Sequence, residues 1–210
     1  MRPKTFSWSP VTTSSAGFKS GATGATWTLT TTATTDGLGH QVTIKNNTVT
    51  DHSAKTATLV GTDVDGNPLT ATMSLPGPSA TTTSTAYFKT LTSITPSATI
   101  GADTMDIGWT VPAITPTFVL DHIKVTAGGV AMECVVTGTI NYKVQHTLEN
   151  IFGTTNPSTA LNWLDHSTIT GKTASSDGSY AYPVRALRFM DTTVTNGATV
   201  SFSVLEGTPK

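Results

Sequence analysis

The stretch that decides the fold runs from Lys55 to Leu75 and reads KTATLVGTDVDGNPLTATMSL. Polar and apolar residues alternate along its second half, and the apolar ones are Leu69, Ala71, Met73 and Leu75. Alternation with a period of two is typical of a strand that buries one face. Residues 65–68, Asp-Gly-Asn-Pro, are turn formers. The stretch therefore predicts two antiparallel strands joined by a hairpin turn.

Similar short alternating segments recur along most of the 210 residues, separated by Gly, Pro and Asp turns. The composition agrees with this pattern, because the chain contains 46 threonines but only three glutamates and two glutamines. Thr and Val lose χ1 freedom in a helix and pack well on a pleated sheet. We therefore expect an all-β fold, an antiparallel β-sandwich of jelly-roll-like type with two packed β-rich halves.

The best candidate for a boundary is the segment 111–116, where two prolines four residues apart interrupt sheet pairing. The predicted order is an extended N-terminal arm over 1–26, a β-sandwich-like half over 27–111, a proline-containing linker over 112–117 and a second β-sandwich-like half over 118–210. In the second half, residues 133–146 are predicted to form one long strand that bends at Gly138. A short helical turn is expected over 160–164.

The first 26 residues are poor in large aliphatic side chains and hold three isolated aromatic anchors, Phe6, Trp8 and Phe18. Such a segment cannot build a core alone, so it must be held either by the domain or by a neighbouring chain. We expect Phe6, Trp8 and Phe18 to contact a neighbouring subunit. On this hypothesis, deletion of residues 1–20 weakens that contact and leaves the β fold intact.

The charge content excludes several classes of protein. Charged residues make up 12% of the chain, with 12 Lys and Arg against 13 Asp and Glu, whereas about 25% is usual. Without a basic stripe, a nucleic-acid partner is not expected. No apolar run approaches the roughly 18 residues of a membrane-spanning helix, so no membrane partner is expected either. The lone Cys134 excludes an internal disulfide framework and is predicted to be a core side chain.

No residue pattern indicates a catalytic, cofactor or metal site. Asp-His dipeptides occur at 51–52, 121–122 and 165–166, but adjacent strand residues point to opposite faces. Residues 63–67 resemble the opening of a calcium loop, although a strand follows and no Glu stands at the twelfth position. We therefore expect no enzyme activity, no cofactor and no metal. The histidines lack metal-ligand spacing, and they are His40, His52, His122, His146 and His166.

Carbohydrate chemistry stays open as an alternative. Trp109 and Trp163, together with Tyr182, could line a groove that binds a surface glycan, although such rings more often fill a core or an interface. A polysaccharide hydrolase would need two carboxylates across a cleft. The three glutamates, Glu133, Glu149 and Glu206, lie far from other carboxylates in sequence.

The excess of hydroxyl side chains indicates a subunit of an assembly. Ser and Thr carry no charge and lose little rotamer entropy, so they are easily covered by another protein surface. Charges are costly to bury at a contact. A surface with few Lys and Glu is typical of protein interfaces and is a solubility hazard for a free monomer.

Several segments resemble a pattern found in small β-rich virion proteins of tailed bacteriophages. Together they span residues 58–186, most of the chain. They are turn and strand signatures without chemistry of their own, and they comprise residues 58–70 (TLVGTDVDGNPLT), Gly77-Pro78, 87–94 (YFKTLTSI), 140–148 (INYKVQHTL), 163–167 (WLDHS) and 173–186 (TASSDGSYAYPVRA).

This resemblance implies a non-enzymatic structural protein of the virion, assembled in the host cytoplasm. The leading expectation is a capsid decoration, or cement, protein that stabilises the shell through subunit contacts. The expected partners are the major capsid protein or tail and connector proteins, together with further copies of the chain in a homo-oligomer. The alternatives are a head–tail, tail or collar component and a receptor-binding module that recognises a glycan.

Overall fold

The computed structural model describes residues 3–120 and 129–206, and within them the chain is nearly all β. This confirms the predicted all-β, sandwich-like fold. In chain order the elements are β1 (Lys4–Trp8), β2 (Ser14–Ala22), β3 (Gly39–Asn46), β4 (Thr56–Thr62), β5 (Pro68–Ser74), β6 (Thr81–Phe88), β7 (Thr90–Pro96), β8 (Met105–Ile114), β9 (Phe118–Val119), β10 (Val130–Thr137), β11 (Ile140–Thr147), α1 (Pro157–Ala160), β12 (Leu164–Asp165), β13 (Ser176–Tyr180), β14 (Ala186–Val194) and β15 (Thr199–Glu206).

The chain divides into two compact units. The central unit comprises Thr13–Ala113, and the terminal unit comprises Met1–Thr12 with Ile114–Lys210. The change of unit after Ala113 falls within the range 112–117 that was predicted as the linker. The range 1–26, predicted as one extended arm, is instead shared between the units, because β1 joins a sheet of the terminal unit and β2 joins a sheet of the central unit.

The central unit is built from two groups of strands. One is a three-stranded sheet in the order β5-β4-β7, and in the other β3 lies beside β6 and β2 pairs with β8. The alternating apolar side chains of these strands meet in a continuous core. Its members include Phe18, Trp27, Ile44, Leu59, Leu75, Phe88, Leu91, Met105 and Ile107.

The predicted hairpin of residues 55–75 is present. β4 and β5 pair antiparallel over their whole length, from Thr56 opposite Ser74 to Thr62 opposite Pro68. The turn is closed by Asp63, whose carboxylate accepts hydrogen bonds from the backbone N–H groups of Asp65 at 3.0 Å and Asn67 at 2.8 Å. The buried face of β5 carries Leu69 and Met73, as the period-two pattern predicts.

The terminal unit is a sandwich with an aromatic core. One sheet has the order β1-β15-β10-β13, and the other has the order β12-β11-β14 with β9 paired to β14. The Tyr142 and Phe189 rings stack at a centroid distance of 4.8 Å within the second sheet. The ring centroid of Phe189 lies 5.8 Å from that of Phe202 and 5.0 Å from that of Trp8, both of which belong to the first sheet. These contacts join the two sheets.

The prediction of a single long strand over residues 133–146 was wrong in one respect. The chain does bend at Gly138, which has φ 75°, but the two arms of the bend are separate strands in different sheets. β10 pairs with β15, and β11 pairs with β14. A Cβ on Gly138 would lie 3.0 Å from the Cα of Ala198, so glycine allows both backbones to turn at one corner. The expected helical turn at 160–164 lies slightly earlier, as α1.

Candidate docking face

The outward side of the sheet β1-β15-β10-β13 is covered mainly by short polar side chains, and we call it the hydroxyl face. The opposite side of the same strands buries Trp8, Met132 and Phe202 in the aromatic core. Because successive strand residues point to opposite faces, the polar residues between them point outward. The hydroxyl face consists of Thr5, Ser7, Ala131, Glu133, Val135, Thr137, Asp177, Ser179, Thr199, Ser201, Ser203 and Leu205.

Hydroxyl groups on this face bond to one another across neighbouring strands. Each such hydroxyl keeps a free lone pair, so a covering surface can add a hydrogen bond without leaving an unsatisfied group behind. Burial of this face therefore carries a lower desolvation cost than burial of lysines and glutamates would. The bonded pairs are Thr5–Ser203 at 2.9 Å, Ser7–Ser201 at 3.0 Å and Thr137–Thr199 at 2.6 Å.

Two carboxylates lie side by side on the hydroxyl face. Glu133 of β10 is directly opposite Asp177 of β13 in the antiparallel register. Both residues are exposed, and within the described part of the chain neither carboxylate has a hydrogen-bond or ion-pair partner. Like charges in directly opposed positions destabilise a sheet. The pair thus favours a covering surface that brings a cationic group.

Three shallow depressions follow the hydroxyl face, with volumes of about 390, 360 and 330 Å³. Val135 contributes to the first and third, and Glu133 and Asp177 contribute to the second and third. All three are open to solvent, whereas small-molecule sites bury most of the surface of their ligand.

The three predicted contact residues lie in different places. Phe18 is buried in the central core and packs edge-on against Trp109 at 5.0 Å. Trp8 is buried in the terminal unit, and Phe6 beside it, at 5.3 Å, is half-buried. The contact of these residues with a neighbouring subunit stays a prediction, and only Phe6 has surface to offer without a rearrangement.

The first of the Asp-His dipeptides does not form a pair. The carboxylate of Asp51 accepts the backbone N–H of Ser53, while His52 Nε2 lies 2.9 Å from Asp103 Oδ2. Lys55 Nζ lies 3.1 Å from the other ring nitrogen of His52, so both nitrogens are occupied. The dipeptide Asp121-His122 lies outside the described residues.

The same separation occurs at Asp165-His166. Asp165 accepts hydrogen bonds from Gln145 at 2.8 Å and Lys143 at 3.1 Å. His166 points to the other side, where its Nδ1 accepts the backbone N–H of Ile169 at 3.2 Å. As expected from the alternation of strand side chains, adjacency in sequence does not place an acid on its neighbouring histidine.

An acid–histidine pair that the sequence did not indicate is buried in the central unit. His40 Nε2 lies 2.9 Å from Asp36 Oδ2, and its Nδ1 lies 3.3 Å from the carbonyl oxygen of Thr110. Burial raises the pKa of the Asp36 carboxyl, but His40, the Leu38 N–H and the Thr34 hydroxyl outweigh that effect and hold the pKa below its usual value. Because both ring nitrogens of His40 contact oxygen atoms of other residues, the pair ties β3 and the turn before it to β8.

A histidine–tyrosine cluster was also missed by sequence reasoning, because its members are far apart in the chain. The Tyr180 ring lies edge-on between His146 at 4.8 Å and His166 at 4.7 Å. The Tyr180 hydroxyl lies 2.9 Å from His146 Nδ1. Burial, and then the nearby His166, lower the pKa of His146. This environment favours a neutral His146.

Three other sequence features have local explanations in the structure. All hydrogen bonds described for the buried Asp63 carboxylate come from its own turn, including one from Asn67 Nδ2 at 3.0 Å. Asn46, the first residue of an Asn-Asn-Thr sequence that matches the glycosylation sequon, has a fully buried side chain that donates to the carbonyl of Thr50 at 2.7 Å. Burial raises the pKa of the Cys134 thiol to about 12, in agreement with its predicted place in the core.

The aromatic residues considered for glycan binding differ in exposure. Trp109 is half-buried beside Phe18. One face of Trp163 is covered by the Arg188 guanidinium, whose carbon lies 4.3 Å from the ring centroid. Tyr182 is 50% exposed, so of the three it offers the most accessible ring.

Among residues 3–120 and 129–206, no three His, Cys, Asp or Glu side chains are grouped closely enough to hold a metal ion. The helix of the described chain is also too short to cross a membrane. A comparison with protein-family models, with curated proteins and with solved structures finds no significant match to this chain. Function must therefore be argued from the geometry.

Proposed function

We propose that the chain is a non-catalytic structural subunit of a bacteriophage particle and acts through contacts between subunits. The observation that carries this proposal is the hydroxyl face, a surface of paired hydroxyls with two carboxylates that have no partner among the described residues. The three-stranded sheet of the central unit has a similar outward surface, with Thr58, Thr70, Thr72 and Thr95 exposed. Each unit thus presents a surface that another protein can cover at low desolvation cost.

The mechanism would be the sum of many modest contacts. A neutral hydroxyl surface gives little long-range attraction, so affinity would come from area, shape and repetition over many copies. Such a mode suits a decoration protein bound to a repeating shell. A head–tail, tail or collar position would use the same contacts in a single ring.

The test compares two Val→Arg variants in purified particles of the phage whose genome encodes the chain. Val135 is 43% exposed in the middle of the hydroxyl face, whereas Val49 is 84% exposed in a loop of the central unit. In Val135→Arg the covering surface must accommodate a long charged side chain, so incorporation, quantified by mass spectrometry, should fall at least about tenfold. Val49→Arg should incorporate normally. Absence of the wild-type chain from the particles, or equal incorporation of both variants, would contradict the proposal.

A glycan-binding module is the second candidate, and the exposure of aromatic residues in the terminal unit favours it. Phe152 and Tyr182 are 57% and 50% exposed, and the Arg185 guanidinium lies 5.4 Å from the Phe152 ring. Exposed rings can stack on the C–H face of a sugar while nearby polar groups bond its hydroxyls. The purified chain should then bind host surface polysaccharide, and Tyr182→Ala should abolish binding. No retention of wild-type protein on immobilised polysaccharide would refute this candidate.

A further inference from the structure

The open edge of β5 is a second surface with a defined chemistry. β5 is the terminal strand of the sheet β5-β4-β7, and in the described part of the chain its only strand partner is β4. At the other end of this sheet, the outer edge of β7 already has partners, because Trp27 forms a β-bridge with Ile94 and Ala33 forms one with Thr90. Of the two ends of this sheet, only the β5 edge has no strand or isolated bridge hydrogen-bonded to it within the described residues.

The hydrogen bonds beyond the ends of the hairpin show which groups point to this edge. The Asp63 N–H donates to the Asn67 carbonyl at 2.9 Å, and the Leu75 N–H donates to the Lys55 carbonyl at 2.8 Å. Both pairs continue the register of β4 and β5. Because hydrogen-bonded pairs alternate in an antiparallel ladder, the odd-numbered residues of β5 bond to β4.

The even-numbered residues of β5 therefore turn their backbone groups away from β4. Thr70, Thr72 and Ser74 present both N–H and C=O to the open edge, and Pro68 presents its C=O alone. All four residues are exposed. An edge with such unpaired backbone groups is a template for another strand.

Of the features by which natural proteins protect an edge, β5 has one, the proline at its first position. Its sequence PLTATMS contains no charged residue, and its register with β4 has no bulge. The other uncharged edge strand of the central unit, β6, has an irregular register with β3. In the terminal unit, β1 carries Lys4 and β13 carries Asp177. Charges and bulges disfavour strand addition, so β5 is the most receptive of these edges.

We propose that β5 pairs antiparallel with β5 of a second copy of this chain, about a two-fold axis at Ala71. Ala71 is the midpoint of β5, so this register pairs the whole strand with itself. Thr70 then lies opposite the second copy's Thr72, and both belong to the set whose backbone groups face the edge. Leu69 lies opposite the second copy's Met73, which keeps apolar side chains on the inner face. An isologous contact of this kind forms about six backbone hydrogen bonds and brings no like charges together.

This contact specifies the self-association that a structural subunit requires, and to that extent it rests on the proposed function. Its test needs no other virion protein, so the two can fail separately. A chain that is monomeric in solution yet present in particles would overturn the β5 contact and leave the structural role standing. A dimer that forms through β5 in a chain absent from particles would give the opposite result.

The first test is sedimentation equilibrium over a wide concentration range with two substitutions of Thr72. Thr72→Pro removes an N–H that faces the open edge and leaves the ladder with β4 intact, a position at which edge strands tolerate proline. Loss of the two symmetry-related bonds should raise the dimer dissociation constant about 30-fold. Thr72→Val keeps the N–H and should dimerise like the wild type. A monomeric wild type, or an undiminished Thr72→Pro dimer, would overturn the proposal.

A second measurement covers the case in which Thr72→Pro disturbs the fold. In the proposed register, the two copies of Ala71 form a pair that is not hydrogen-bonded, with Cα atoms about 4.5 Å apart, within disulfide range. Ala71→Cys should therefore form a covalent dimer in oxidised glutathione, whereas Thr58→Cys on the central strand β4 should not. Cys134 is buried and does not compete. Equal cross-linking of the two variants would count against β5 pairing.

Discussion

The substitution Asp36→Ala should strongly lower the stability of the central unit, although it removes only one small carboxylate group. In the native protein this carboxylate accepts hydrogen bonds from the Thr34 hydroxyl at 2.8 Å and the Leu38 N–H at 3.1 Å, besides its contact with His40 at 2.9 Å. The side chains of Asp36 and His40 are 0% and 1% exposed. Asp36→Ala therefore leaves a buried imidazole and two other donors without their acceptor.

The expected loss follows from that burial. Each buried donor left without its acceptor costs about 1–3 kcal/mol, so the loss of the acceptor for three such donors should cost at least about 3–5 kcal/mol. With a urea m-value of about 2 kcal/mol/M for a unit of this size, the unfolding midpoint should fall by about 1.5–2.5 M. The pH dependence has a definite sign: the lowered pKa of Asp36 means that its contribution is present at neutral pH and is lost as the pH falls through the folded-state value.

The assay is urea unfolding followed by tryptophan fluorescence, with amide hydrogen exchange along β3 to assign the loss to the central unit. Asp103→Ala is the matched control, because Asp103 also contacts a buried histidine but is itself 26% exposed. Water can replace the lost contact there, so the shift should be clearly smaller. If both variants lose the same stability, or if Asp36→Ala unfolds like the wild type, the burial argument is wrong.

Three further substitutions or conditions test other parts of the structure. Gly61→Ala should destabilise the central unit by about 1–3 kcal/mol, because its Cβ would overlap the Thr90 carbonyl oxygen, while Gly77→Ala should be nearly neutral in the same urea titration. Acidification from pH 7.5 to 5.5 should destabilise the terminal unit, because the lowered pKa of His146 makes the unfolded chain bind protons first, and His146→Asn should reduce that pH dependence. The thiol of Cys134, with its pKa raised to about 12 by burial, should not react with a thiol reagent such as DTNB until urea unfolds the chain, and fast native labelling would contradict its burial.

The sequence predicted those features that depend on local periodicity. The alternation of residues 69–75 and the turn formers before them were sufficient to predict β4, β5 and their hairpin, because one buried face and one turn specify the register. The bend at Gly138 was predicted for a similar reason. The change of sheet between β10 and β11 was not predicted, because the sheet that a strand joins depends on distant partners. Phe189 lies opposite Val144, 45 residues away, and Phe202 lies opposite Cys134, 68 residues away.

The buried polar sites were even harder to predict, because local sequence patterns do not show which distant residues meet. His146 and Tyr180 lie 34 residues apart, and no spacing rule brings them together. His40 and Asp36 are only four residues apart, but a helical spacing in a β-rich segment is not a recognised signal for a buried pair. The hydroxyl face was foreseen only as a composition, because an excess of Thr and Ser does not tell which sheet carries it outward.

The position of the first strand changes how the contacts of this protein must be tested. Deletion of residues 1–20, which was predicted to leave the β fold intact, would strip β1 from β15 and take Phe18 out of the central core. Reduced incorporation of such a variant into particles would then report damage to both units as much as the loss of a contact. Surface substitutions such as Val135→Arg and Thr72→Pro avoid this ambiguity, because they leave every described core residue in place and differ in the surface they block.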